Sequence, residues 1–363
     1  NLLKLRGSYS IVGNDMPAYI THPKDGFNLG QLEPNNNAPF SEMKPEKMHS
    51  MEFGFDLALL DNSVNVDFTW YKSNNKNQYF EISAPMASGY DKLYINTGDI
   101  QNTGIESTLS YTKSFNSDWD WKTSFNFAYN DNKINKLDPR LGNYVTIGEG
   151  AGFRFILKEG GSYGDIYTRV LERDEQGVIK VDDKGLPIIS KDYEYVGNVN
   201  SKWQLGWGNT INYKDFSLYF LIDGRIGGKT VGLTQSYLDS WGVTEVTAQA
   251  RDNGGVDRGN GEKIDAQLFY ESTGGKDKAG GEYTYSATNF RLRELSLGYT
   301  FRNLFGESKD LGLSLIARNL FFIHKKSPND PDLSISTANG WQGFDIFGLP
   351  ATRSYGFSLK ATF

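Results

Sequence analysis

The chain lacks cysteine and has no long apolar run. None of its 363 residues is cysteine, which excludes a disulfide scaffold and thiolate metal sites and leaves the redox compartment open. No stretch approaches the roughly 18 consecutive apolar residues of a membrane helix. The net charge of -6 provides no basic face for phosphate neutralisation, so no nucleic-acid partner is expected.

Motifs that carry chemistry are also scarce. The three histidines are isolated in sequence and have no HExxH pattern: His22, His49 and His324. Loop or strand-end positions are favoured for them over metal ligation. Residues 174–177 and 182–185 predict two turns around a short β-hairpin at 178–181, because they lack the alternating ligand spacing of a calcium loop. We predict no catalytic residue, no metal site and no cofactor.

The chain does have a two-residue alternation of apolar and polar side chains. Near its end, Tyr355, Phe357 and Leu359 alternate with small or polar residues, and this period puts the two sets on opposite faces of a strand. About ten segments show the pattern: 3–11, 51–59, 64–70, 105–115, 119–129, 203–213, 216–226, 295–301, 311–321 and 353–363. Most approach the ~9–11 residues that a tilted strand needs to cross a bilayer.

Short and long connections alternate between these segments. Short turns are predicted at 61–62, 116–118, 214–215 and 302–309, and long connections without regular structure at 13–48, 78–103, 131–201, 227–289 and 323–351. Outer-membrane barrels have short periplasmic turns and longer extracellular loops. The fold class is therefore all-β, a transmembrane antiparallel β-barrel. Because only alternate residues must be apolar, this agrees with the mean hydropathy of -0.52.

Several short motifs lie at or near the ends of the predicted strands. They are Lys44-Pro45-Glu46, Asn102-Thr103-Gly104, Phe290-Arg291-Leu292-Arg293, Ala317-Arg318-Asn319, Asp330-Pro331-Asp332 and Pro350-Ala351-Thr352-Arg353. Together with Leu3 to Tyr9, and in this order, they resemble the barrel of the SusC/RagA family of TonB-linked outer-membrane transporters. The resemblance covers nearly the whole chain.

This resemblance implies a TonB-dependent transporter barrel of about 22 strands with a plugged lumen. Residues 1–363 would be its C-terminal part, about the last ten strands, with the plug and N-terminal domains upstream and absent from this chain. The implied function is TonB-dependent import of glycans or oligopeptides across the outer membrane of a Gram-negative bacterium. The implied partners are a SusD-like surface lipoprotein, the TonB complex acting through the upstream plug, and outer-membrane lipids.

Two other functions are open from the residues alone. One is a self-contained ten-strand barrel enzyme of the protease type, although no pairing of histidines with carboxylates is recognisable. The other is a passive porin. The transporter interpretation, which involves no enzymatic activity, predicts that the first and last strands do not pair with each other, because an open sheet edge is not viable in lipid and each must continue a larger sheet.

Aromatic residues in the long connections are the substrate-binding candidates. Tyr237 precedes Trp241, and Trp341 precedes Phe344. Exposed rings stack on sugars or peptide side chains, and they also pack loops or contact a lipoprotein. On the polar face the alternation predicts a mixed-charge wall, for which hydration and plug contact are expected: Glu52, Asp56, Asp67, Glu106, Lys122, Asp223, Arg225, Glu294 and Arg318.

Overall fold

A computed structural model describes residues 1–16, 18–40, 43–84, 86–304, 306–336 and 341–363. Its strands are β1 (Leu2–Asn14), β2 (Gly26–Asn28), β3 (Gln31–Glu33), β4 (Glu46–Leu59), β5 (Val64–Ser83), β6 (Lys92–Ser114), β7 (Trp119–Lys136), β8 (Tyr144–Gly150), β9 (Phe153–Lys158), β10 (Asp165–Thr168), β11 (Glu194–Asn198), β12 (Trp203–Tyr213), β13 (Phe216–Ile226), β14 (Lys229–Gly232), β15 (Val256–Asp257), β16 (Lys263–Ile264), β17 (Thr284–Ser286), β18 (Asn289–Phe301), β19 (Asp310–Lys325), β20 (Phe344–Asp345) and β21 (Ser354–Thr362). The α-helices are α1 (Leu233–Ser240), α2 (Glu245–Asp252) and α3 (Ala266–Thr273). Single 3-10 turns occupy Met86–Ser88, Pro139–Leu141 and Gly280–Tyr283.

Ten strands form one antiparallel sheet, in the order β1-β4-β5-β6-β7-β12-β13-β18-β19-β21. They coincide with the ten segments predicted from the alternation, which confirms the all-β fold class. Within the described residues β1 pairs only with β4, and β21 pairs only with β19. The first and last strands of this sheet therefore do not pair with each other, as the transporter interpretation predicts.

One face of this sheet is apolar from edge to edge. The register places Leu57 opposite Val66, which lies opposite Leu109 on the next strand. Leu109 in turn faces Phe125, and Phe125 faces Trp207. Several of these side chains are exposed although they are apolar. An apolar surface of this extent is not sustainable in water, so it is the face that contacts lipid.

Aromatic pairs border the apolar face at two levels. Trp119 packs on Tyr213 at one level and Tyr129 packs on Trp203 at the other, each with ring centroids 4.6 Å apart. The ten-residue separation on β12 corresponds to roughly 33 Å along the strand, or about 25 Å along the membrane normal for a tilted strand. This is the height of the apolar band in outer-membrane barrels, with aromatic girdles at both interfaces.

The short predicted turns all lie at one end of the sheet. Residues Leu60 to Asn62 have positive φ values, as a tight hairpin requires. At the next turn, Asn116 Oδ1 accepts hydrogen bonds from the backbone N–H groups of Asp118 and Trp119, at 2.9 and 3.0 Å. The predicted connections 13–48, 78–103, 302–309 and 323–351 include residues 17, 41–42, 85, 305 and 337–340, which lie outside the described residues.

The prediction that the long connections lack regular structure was wrong. β5 and β6 continue through most of 78–103, and β7 extends to Lys136. The strands continue because Phe80, Ile100 and Ile134 form a buried cluster with Leu137, Val145 and Leu157 beyond the lipid-facing band. Packing against this core stabilises the pairing of these strands beyond the membrane.

Three more of the long connections are also folded, whereas 13–48 contains only the short strands β2 and β3 between the ends of β1 and β4. A four-stranded sheet, β11-β10-β9-β8, occupies 131–201, while α1 to α3 and the sheet β17-β14-β20 draw on 227–289 and 323–351. Two further buried clusters, one around Phe269 and one around Phe153, hold these elements together. We call these folded connections, all at the end opposite the short turns, the loop layer. No helix in the described part of the chain is long and apolar enough to cross a membrane.

The predicted hairpin at 178–181 is a different structure. Its two turns are confirmed, since the N–H of Gly177 donates to Asp174 O and that of Gly185 to Asp182 O. The segments between the turns bond in a ring: Glu172 N–H to Ile188 O, Ile188 N–H to Lys180 O, and Lys180 N–H to Glu172 O. Three segments therefore bond to one another here, where a simple hairpin would have only two strands.

Candidate functional site

The polar face of the sheet carries paired charges. Arg6 lies across Gly54, bonds to Asp56, and reaches Asp67 and the Thr69 hydroxyl at 2.9 and 2.7 Å. Six of the nine predicted wall residues form ion pairs: Asp56, Asp67, Asp223, Arg225, Glu294 and Arg318. Tyr71 also lies on this polar face, covers Gly104 and donates to Asn130 Oδ1.

Two arginines of β18 lie side by side on the same face. Arg291 and Arg293 are two residues apart and so face the same side, and the register shift between Leu292 and Glu294 brings Glu294 to that side as well. Arg293 binds Asp223 and Asp332, while Arg291, with a 2% exposed side chain, binds Asp330 at 2.6 Å. Asp330 and Asp332 belong to the loop layer, so their ion pairs with Arg291 and Arg293 attach the loop layer to the charged wall.

Two adjoining cavities open where the polar face meets the loop layer. Their volumes are about 640 and 550 Å³, and they share Asn75, Gln78 and Tyr163. Side-chain amides are the most frequent polar groups along them, and they belong to Asn14, Asn75, Gln78, Asn102, Asn130, Asn132, Asn198 and Asn200. We call the continuous depression that these residues line the amide groove.

The strands and the loop layer build the amide groove together. The alternation that turns Leu109 and Phe125 to lipid turns Asn102, Asn130 and Asn132 to the polar face. The turn after β9 continues the sheet, because Gly160 N–H donates to Ile134 O and Ile134 N–H to Gly161 O. Asn132 Oδ1 then accepts from the Tyr163 N–H at 2.7 Å and fixes that turn.

Two buried carboxylates line the groove. Glu46 is 4% exposed and accepts hydrogen bonds from the amide nitrogens of Asn14 and Asn75. Asp165 accepts from the Ser162 N–H and from Asn198 Nδ2, at 2.9 and 2.8 Å. Burial, reinforced by the negative charge of Asp165, raises the pKa of Tyr195, so this hydroxyl remains a neutral hydrogen-bonding group at neutral pH.

The four predicted aromatic residues separate into two groups. Tyr237, half-buried, contacts Trp241 with centroids 6.3 Å apart, and Trp241 is 64% exposed. Trp341 packs on Phe344, and Phe344 is completely buried. The expectation of an exposed ring at Phe344 was therefore wrong, because the ring fills the core between β9 and β14. Substrate contact by the other three stays a prediction.

Sequence reasoning missed the amide groove. A signal was present, since Asn75, Asn102, Asn130 and Asn132 all fall on polar-face positions at similar heights in three adjacent strands. Asparagine is disfavoured in strands, so its repetition at equivalent heights pointed to a shared role. The contribution of residues 160–165 and 195–202 was not visible, because only tertiary structure brings them to β7.

A protein-family model described as "TonB dependent receptor-like, beta-barrel" matches residues 2–320. This is most of the chain, and it includes eight of the ten long strands completely and the ninth, β19, as far as residue 320. The chain belongs to this family. The family implies an integral outer-membrane protein, in agreement with the lipid-facing surface described above.

Curated relatives point to the same family. "TonB-dependent receptor P3" of Formosa agariphila is 24% identical over 351 residues, which cover 88% of this chain and 34% of that protein. "TonB-dependent receptor SusC" of Bacteroides thetaiotaomicron is 22% identical, over 99% of this chain and 37% of that protein. The chain thus spans little more than a third of these relatives. They are receptors and not enzymes, so the expectation of a non-enzymatic protein is confirmed.

A solved structure shares the fold. The protein in "Structure of the RagAB peptide transporter" superposes on this chain with a TM-score of 0.75 at 19% identity, and the superposition covers 99% of this chain and 41% of that one. Together with SusC among the sequence relatives, this confirms the predicted resemblance to the SusC/RagA family.

Proposed function

We propose that this chain is the C-terminal part of the barrel of a TonB-driven importer of glycans or oligopeptides. The plug and the TonB-contacting segment would lie upstream, and a SusD-like lipoprotein would cover the loop layer. The amide groove carries this proposal, since it lies on the polar face just beyond the lipid-facing band. The fraction of the relatives' length that the chain spans supports the assignment to one part of a larger barrel.

The chemistry of the groove suits long polar ligands. A side-chain amide offers two donors and one acceptor oxygen, so a row of them can match sugar hydroxyls or peptide groups in several registers. Neutral amides also bind without the desolvation cost of charged groups. A site of this kind retains varied chains of one chemical type, as nutrient capture requires, whereas a passive pore needs no such retention.

Uptake that depends on TonB is the test of this proposal. Cells that carry the native gene should accumulate a fluorescently labelled pool of either mixed oligopeptides or mixed oligosaccharides, and inactivation of TonB should abolish that accumulation. Affinity purification of the protein should also recover a surface lipoprotein. Uptake that persists without TonB would favour the passive porin, and accumulation of neither pool would contradict import.

We also propose that Tyr237 and Trp241, with Trp341 nearer the core, form the aromatic contact surface of the loop layer. In the same uptake assay, Trp241→Ala should lower the initial rate several-fold, because an exposed indole lost from a contact costs roughly 1–3 kcal/mol. Phe115→Ala is the matched control, since this exposed ring lies at the end with the short turns. Loss of rate with the lipoprotein still bound indicates substrate contact, and loss of the lipoprotein indicates partner contact. An unchanged rate removes the proposal.

A further inference from the structure

Glu46 is a buried carboxylate without a cation. Among the described residues, no lysine or arginine forms an ion pair with it, and its hydrogen-bond donors are the neutral amides of Asn14 and Asn75. Glu81, in the same cavity, differs because Lys92 neutralises it at 2.6 Å. A carboxylate that is 4% exposed and has no paired cation attracts positive charge to this end of the groove.

A hydrogen-bond acceptor next to Glu46 has no donor. Asn75 directs its amide nitrogen to the Glu46 carboxylate, while its carbonyl oxygen Oδ1 is buried and has no hydrogen-bond partner in the described structure. A buried acceptor left unsatisfied costs about 1–3 kcal/mol. Asn75 lines both cavities and Glu46 lines the smaller one, so a ligand group with several N–H donors in the smaller cavity would lie beside both residues.

We propose that this end of the amide groove binds a protonated amino group of the imported ligand. An ammonium group has three donors and a full positive charge, so it matches one carboxylate and one adjacent amide oxygen. The rest of the ligand lies along the asparagines toward Asn198 and Asn200. This inference rests on the proposed import function and refines its substrate class. The amine comes from a peptide terminus, a lysine side chain or an amino sugar.

Binding of matched ligand pairs to the purified, full-length complex tests the proposal. The first pair is a lysine-containing pentapeptide and its fully acetylated form. The second is a tetramer of glucosamine and the corresponding tetramer of N-acetylglucosamine. Calorimetry should show that the free amine binds roughly ten-fold or more tightly than the acetylated ligand in at least one pair, as a charge-assisted hydrogen bond predicts. The pair that shows the difference identifies whether the amine belongs to a peptide or to an amino sugar.

Two variants connect the preference to Glu46. Glu46→Gln keeps the size and shape of the side chain and removes its charge and one acceptor oxygen, so the preference for the free amine should disappear. Glu52→Gln makes the same change on the same strand and polar face but outside the two cavities, and it should preserve the preference. A heat-modifiability gel verifies that both variants are folded barrels.

Several results would overturn the inference. One is equal binding of the free and acetylated ligands by the unmodified protein, a result that needs no variant. The others are a preference for the free amine that survives in Glu46→Gln, and no binding of any of the four probes. TonB-dependent uptake of uncharged ligands alone would sustain the proposed function and remove only this inference. Uptake independent of TonB would instead remove the proposed function.

Discussion

Arginine in place of Phe357 should destabilise the folded protein by roughly 2–4 kcal/mol, whereas arginine in place of the adjacent Ser358 should have a much smaller effect. Phe357 lies opposite Leu315 in the middle of the apolar face. A guanidinium there would enter the hydrocarbon of the bilayer. Ser358 lies opposite Ser314 on the polar face, where a long cationic side chain remains hydrated.

Urea unfolding of the full-length protein in lipid vesicles measures this difference, with the band shift between folded and unfolded protein on a gel as the readout. The two variants control for each other, because they place the same charge on neighbouring residues of β21. Equal losses at both positions would contradict the assignment of the faces. A larger loss at Ser358 would reverse it.

The membrane part of this fold could be predicted because it follows one local rule. In β12, for example, Trp203, Leu205 and Trp207 alternate with residues that face away from lipid, and the bilayer imposes this period over the whole strand. The loop layer follows no such rule. Its core brings Ile134 together with Leu157 and Phe80, residues far apart in sequence, so no single segment carries the pattern.

The candidate site was predictable to a similar degree. The parity of the strands placed the charged wall correctly for Asp56, Asp223 and Arg318. It could not show that these charges are paired, because pairing depends on the register between strands. Phe344 illustrates the opposite error. Its position in a long connection suggested exposure, but the core between β9 and β14 enclosed it.

Removal of the Asp330 carboxylate should cost roughly 3–5 kcal/mol, because it leaves Arg291 buried without its main partner. The guanidinium of Arg291 is almost completely enclosed, bonds to Asp330 and lies over the Phe322 ring at 3.9 Å. Asp332 stands 3.5 Å away but is shared with Arg293, so it only partly compensates. Asp330→Ala should therefore be among the most damaging single changes outside the lipid-facing surface.

The exposed ion pair between Arg318 and Glu294 is the matched control, since it lies on the same sheet face and its arginine is 59% exposed. Arg318→Ala should cost at most about 1 kcal/mol, because solvent screens such a pair. Urea unfolding in vesicles gives both values. Equal costs for the two variants would show that burial of Arg291 has no energetic consequence.

A double replacement separates the cost of a buried, unpaired charge from the value of the ion pair itself. Arg291→Met combined with Asp330→Asn removes both charges and keeps similar side-chain volumes, so it should recover much of the stability lost in Asp330→Ala. Hydrogen exchange then reports on attachment of the loop layer. If the ion pair is what joins the Asp330 to Asp332 segment to the wall, this segment should exchange faster in the double variant even though overall stability has returned. Unchanged protection there would show that the surrounding packing, and not the pair, holds the loop layer in place.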